Sequence, residues 1–144
     1  MTTNRLVRAF KSLVIVTAAL PVGSPASAAA PSAVQVHLID LTIELSTDRI
    51  KAGTVTFEVS NSTEALQHDL LVVKTNLPLD ALPYDQERAE LDEDRLNILG
   101  EVEDLYPGES VALTLEMAAG HYILLCNKAH HFQAGMAHGF TVIP

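Results

Sequence analysis

Hydrophobic residues recur at every second position through much of the chain after residue 33. Val34, Val36 and Leu38 alternate with Gln35 and His37, and Val55, Phe57 and Val59 do the same within Thr54–Ser60. Val111, Leu113 and Leu115 repeat the pattern within Ser110–Met117. A period of two puts each set on one face of a half-buried strand, so these stripes are expected in the core. Leu41–Leu45, Asp69–Lys74, His121–Cys126 and Phe140–Ile143 read as further strands, with Tyr122, Leu124 and Cys126 sharing a face. Lys51-Ala52-Gly53, Asn61-Ser62-Thr63, Pro107-Gly108-Glu109 and Gly120 mark turns between them. Short strands separated by regular turns predict an all-β sandwich or barrel.

Leu77–Asp104 breaks the rhythm. It holds Pro78 and Pro83 and the acids Asp85, Glu87, Glu90, Asp92, Glu93 and Asp94. Asp85 is placed to cap a short helix over Gln86–Ile98, with Leu91, Arg95 and Ile98 near one stripe. The segment is expected as an acidic helix-and-loop excursion between two strands, either a solvated face or a docking surface.

The first thirty residues follow another logic. Arg5, Arg8 and Lys11 precede an apolar run of eight, Leu13–Leu20, and Ala26-Ser27-Ala28 offers a small-residue cleavage site. That is the anatomy of a secretory signal peptide, and the run is far short of the ~20 residues of a spanning helix. The expected organisation is a cleaved signal over 1–30, with cleavage after Ala28 or Ala30, and one exported domain over 31–144. No membrane span is expected in the mature chain. All 18 acids lie after residue 39 and three of the nine bases lie in the signal, so its removal deepens the net charge from −9 to −12. Such a domain repels nucleic acid and anionic membranes and attracts basic partners.

Cys126 is the sole cysteine. It cannot form an internal disulfide, and a lone thiol in an oxidising compartment needs protection or a purpose. Its surroundings supply one. Cys126-Asn127-Lys128-Ala129-His130-His131-Phe132-Gln133-Ala134-Gly135-Met136 spaces a thiol, an imidazole and a thioether as Cys-x4-His-x4-Met. A strand feeding a tight loop can bring all three to one point, and His68, at the start of the next β-rich run after the Asn61 turn, is the candidate for a fourth ligand. Two imidazoles, a thiolate and a weak axial thioether form the type 1 copper set; zinc prefers four strong tetrahedral ligands. His130 is a rival to His131 through Cys-x3-His-x5-Met. His37, His121 and His138 read as surface or turn residues that, with His130, offer at most an adventitious second site. No Ser/His/Asp arrangement, paired carboxylates or phosphate loop stands out, so the chain is not expected to be an enzyme.

The Ala52–Phe57 strand, His68, Pro107-Gly108 before a strand, Gly120-His121-Tyr122 before the cysteine strand, and the Cys-x4-His-x4-Met loop resemble the cupredoxin family (plastocyanin, azurin and relatives). The resemblance spans Val34–Pro144. It implies a Greek-key β-sandwich, one copper ion held by His68, Cys126, His131 and Met136, and single-electron transfer with a redox protein partner; the acidic charge makes a basic partner such as a c-type cytochrome the expectation. The signal peptide places the domain in the periplasm or outside the cell, and a monomer is expected. The second reading is an exported copper carrier or resistance protein using the same ligands, and a third is a metal-free interaction domain. The family's Asn after the first histidine, whose side chain ties two ligand loops together, is replaced here by Asp69.

Overall fold

The computed structural model describes residues 32–144. The signal peptide expected over 1–30 lies outside the described residues. In chain order the strands are β1 (Ser32–Ile39), β2 (Thr42–Leu45), β3 (Arg49–Lys51), β4 (Gly53–Asn61), β5 (His68–Lys74), β6 (Tyr84–Asp85), β7 (Glu90–Leu91), β8 (Ile98–Leu105), β9 (Ser110–Met117), β10 (Gly120–Leu125) and β11 (Ala137–Ile143). One sheet has the order β2-β1-β4-β9 and the facing sheet β3-β11-β10-β5-β8. Pairing is antiparallel except for β1 with β4 and β3 with β11. The all-β sandwich expected from the sequence is the architecture observed. No helix among the described residues is long and apolar enough to cross a membrane.

The period-two stripes do the folding work expected of them. Val34, Val36 and Leu38 of β1 and Val55, Phe57 and Val59 of β4 meet Leu70, Val72, Tyr122, Leu124, Phe140 and Val142 of the facing sheet in one buried cluster. Phe57 and Phe140 join edge to face, with ring centroids 5.5 Å apart, a favoured aromatic geometry. The third stripe departs from expectation. Val111 is exposed, and Leu113 and Leu115 are half-buried, because β9 is the outer strand of its sheet. Leu113 and Leu115 lean across to β8, where a Cβ on Gly100 would sit 2.5 Å from Leu115 Cδ2.

The acidic excursion also differs from expectation. No α-helix forms over Gln86–Ile98. Asp85 Oδ1 instead accepts the backbone N–H groups of Glu87 and Arg88 at 2.9 and 3.1 Å, and Ala89 turns the chain back at φ 57°. This local Asx-type bonding competes with helix and closes a hairpin pairing Tyr84 with Leu91 and Asp85 with Glu90. Helical structure is limited to two 3-10 turns, Leu79–Ala81 and Glu93–Arg95. The end of the expected excursion, from Ile98 to Asp104, belongs to strand β8 at the edge of the larger sheet; an edge strand tolerates acids on its outward positions, which hid it.

The excursion has a structural task. Its Leu82 and Leu91, flanked by Tyr84 and Leu96, cover Leu71, Val73, Ile123 and Leu125 in a second cluster outside the larger sheet. Strands β5 and β10 are therefore buried on both faces, which is why each reads as a continuous apolar run. These two central strands carry His68 at the start of one and lead into Cys126 at the end of the other.

Candidate metal centre

Leu125 pairs with Leu71 across β10 and β5, so the residue after Leu125 and the residues before Leu70 lie side by side at one end of the sheet. Between His68 and Leu70 the register of β5 against β8 shifts. A bulge re-aims side chains and releases backbone groups from the ladder. Here the Asp69 N–H leaves the sheet and donates to Cys126 Sγ at 3.3 Å.

Residues 127–136 form a wound loop. His131 N–H donates to Lys128 C=O, Ala134 N–H to His130 C=O, Gly135 N–H to Phe132 C=O and Met136 N–H to His131 C=O. The loop closes where Cys126 N–H donates to Met136 C=O at 3.1 Å. This fixes the cysteine and methionine side by side on the backbone, and both are fully buried in the main core cluster. The winding brings His131 Nδ1 to 3.3 Å from Cys126 Sγ. His68 Nδ1 lies 3.7 Å from the same sulfur and 3.2 Å from His131 Nδ1. Metal–ligand bonds of ~2.0–2.3 Å around a three- or four-coordinate ion separate donors by ~3.3–4.0 Å. The triangle observed is close to that size.

His68, Cys126 and His131 are the one group of three such donors gathered within 4.8 Å among the described residues. His130 is exposed, held at φ 67° with its N–H on Ala89 C=O, and stands outside the group. His37 bonds Ser60 on the other sheet, while His121 is exposed on β10 and His138 half-buried on β11.

The ring of His68 is wholly buried, and its Nε2 has no hydrogen-bond partner. An unpartnered buried donor costs ~1–3 kcal/mol, so this ring is a poor core residue. Its value lies in the lone pair that Nδ1 can direct toward the thiol and the second imidazole. Burial, with His131 nearby, lowers the His68 pKa to about 4, and burial lowers that of His131 as well. Both rings are then neutral at neutral pH, as metal ligands must be. Burial pushes the Cys126 thiol up to about 11, opposed by the backbone N–H groups of Lys128 and Asp69. A metal must therefore displace that proton on binding.

The imidazole shifts carry a pH dependence for the metal-free protein. A histidine with a folded pKa below its unfolded 6.5 lets the unfolded chain take up protons first, so its penalty is absent above pH 6.5 and grows as pH falls toward 4. Between pH 7 and pH 5 the loss from His68 is about 2 kcal/mol. Urea unfolding at the two pH values is expected to show it, and His68→Gln to remove most of it; equal pH slopes in the two proteins would contradict the assignment.

Three neighbours were not singled out in the sequence. Asn127, 5% exposed, accepts the Leu91 N–H on Oδ1 at 2.7 Å, and its Nδ2 donates to Leu91 C=O at 3.1 Å and to Glu93 Oε1 at 2.7 Å. It fastens the β6–β7 hairpin to the ligand loop, helped by Tyr84 Oη donating to Gln133 Oε1. Asn61 donates to Leu66 and Leu105 carbonyls and shapes the turn that delivers His68. Lys128 pairs with Asp69 and Asp104. Single polar residues beside an apolar strand carry no periodic signal; only the direct adjacency of Asn127 and Lys128 to Cys126 could have marked them.

No protein-family model and no curated protein matches the chain. Solved structures do. Reduced auracyanin from Roseiflexus castenholzii is 26% identical with a TM-score of 0.62, over 80% of this chain and 99% of that one. Auracyanin A from Chloroflexus aurantiacus, described as a "blue" copper protein, is 25% identical with a TM-score of 0.58, over 79% of this chain and 100% of the other. Rusticyanin from Thiobacillus ferrooxidans, at 17% identity and TM-score 0.59 over 79% of each chain, shares the fold.

Proposed function

We propose that this chain, a cupredoxin in its fold and in the loop that closes Cys126, His131 and Met136 against His68, is an exported type 1 copper protein that transfers single electrons. The observation that carries the reading is the donor triangle of His68, Cys126 and His131, assembled by two central strands and one wound loop. Two imidazoles, a thiol and a neighbouring buried thioether suit copper better than zinc. When bound, copper supplies a one-electron couple.

The protein's part is to hold the ligands still. His68 is locked at the start of β5, Cys126 directly after β10, and Met136 is tied to Cys126 through the backbone. Ligands that do not move between redox states leave little reorganisation to slow transfer. His131 is half-buried where His68 is fully buried, so His131 is the ligand nearest the surface and the natural port for electrons. Phe132, Gly135, Ala137 and the exposed Leu79 line a shallow apolar cavity beside it, suited to a small transient contact. The acidic surface favours a basic redox partner such as a c-type cytochrome; its reaction rate is expected to fall as salt rises, and a salt-independent rate would exclude steering by charge.

Adding one equivalent of Cu(II) to the mature protein tests the site. The expected result is an intense thiolate-to-copper visible band that saturates at one copper and bleaches with a mild reductant. Weak colour only would reject a type 1 centre.

A further inference from the structure

The sulfur of Cys126 is flanked by two residues that are also joined to each other. Asp69, released from the ladder by the bulge in β5, donates its N–H to Cys126 Sγ at 3.3 Å. Lys128 follows Cys126 by two residues on the ligand loop. The side chains of these two residues form an ion pair, Lys128 Nζ to Asp69 Oδ1 at 3.2 Å. Asp104 completes the group: its N–H donates to Asp69 Oδ1 at 2.9 Å, and its carboxylate binds Lys128 Nζ. Asp104 itself lies in the left-handed region at φ 54°, which aspartate enters more readily than most residues other than glycine.

The burial of the group gives it weight. The Asp69 side chain is 14% exposed and that of Lys128 29%, against 63% for Asp104. An exposed pair is worth little, but a largely buried carboxylate without a partner is costly. Lys128 Nζ and the Asp104 N–H are the partners of the Asp69 carboxylate.

We propose that the Lys128–Asp69 ion pair is a positioning device for the thiol ligand: it joins the two ligand-bearing segments, holds the Asp69 N–H on Cys126 Sγ, and thereby raises the reduction potential of bound copper. The inference rests on the copper reading above. Hydrogen bonds to a ligating sulfur draw electron density from it and tune the potential. Losing the lysine loosens that bond and leaves a carboxylate uncompensated near the ion, and both changes favour the oxidised state. Asp69 and Lys128 act here as positioning residues, through the cysteine.

The test uses the full mature protein with and without copper. In the copper-free protein, a double-mutant cycle of Asp69→Asn and Lys128→Met on urea unfolding is expected to show coupling equal to about a tenfold change in the folding constant. Asp69 amide exchange is expected to quicken by about tenfold in Lys128→Met. In the copper-loaded protein, Lys128→Met is expected to lower the potential and shift the thiolate band, while Lys128→Arg preserves both. Asp104→Asn, which removes an exposed charge and keeps the backbone donor, should instead leave the band in place. Additive mutations in the cycle would overturn the tie. Coupling with an unchanged potential in Lys128→Met would overturn the tuning. If the parent protein develops no thiolate band, the copper reading fails, and the copper-free cycle and amide exchange alone decide the tie.

Discussion

Cys126→Ser is expected to abolish the visible thiolate-to-copper band and to weaken copper binding by more than the ~10–100-fold that loss of a supporting hydrogen bond costs. The sulfur is the corner of the triangle that both imidazoles face, at 3.3 and 3.7 Å. A serine hydroxyl is a hard, neutral donor that gives no thiolate transition and suits a soft site poorly. Folding should survive, because the hydroxyl can accept the Asp69 N–H that the thiol now accepts. His130→Ala is the matched control. Its ring is exposed and outside the donor group, so band and affinity should stay as in the parent. A band that persists in Cys126→Ser, or vanishes in His130→Ala, would mean that the wrong loop residues have been assigned.

Asn127→Ala is expected to destabilise the protein by about 2–4 kcal/mol and to speed copper release to a chelator by about 10–100-fold. The side chain serves three hydrogen bonds, two of them to the backbone of Leu91, which is itself 2% exposed. Alanine would leave a buried N–H and C=O without partners, each worth ~1–3 kcal/mol, out of a total stability of ~5–15 kcal/mol. The hairpin would then lose its grip on the loop that presents His131. Glu93→Gln keeps an acceptor for Nδ2 and should change little. Urea unfolding and timed chelation check both effects; a change under about 0.5 kcal/mol with unaltered release would show that the hairpin merely rests on the loop.

The sandwich was legible because its inner faces alternate strictly: Val34, Val36 and Leu38, then Val55, Phe57 and Val59, are all buried. The donor loop was legible because its chemistry is local, with three donor side chains within eleven residues of chain. The choice between His130 and His131 was not settled by spacing within the chain. The structure sets the His131 ring beside Cys126, while a backbone bond to Ala89 goes with an exposed His130. The Asp85–Ile98 segment does not show its hairpin in sequence, because Asp85 followed by polar residues fits a helix cap and an Asx turn equally, and Ala89 at positive φ leaves no trace there. Val111 fits a buried stripe by period alone, yet the position of β9 at the sheet edge, a tertiary fact, exposes it. The ties from Asn127 to Leu91 and from Lys128 to Asp69 span 36 and 59 residues, and no local pattern encodes such pairings.

The measurement that bears most directly on the central claim is voltammetry of the protein loaded with one equivalent of copper. A reversible one-electron wave, with one copper retained through repeated cycles and no change in potential on adding a copper chelator, is the result expected of a fixed ligand set that carries electrons. An irreversible wave, or copper passing to the chelator on reduction, would contradict electron transfer and identify the site as one that hands its metal on.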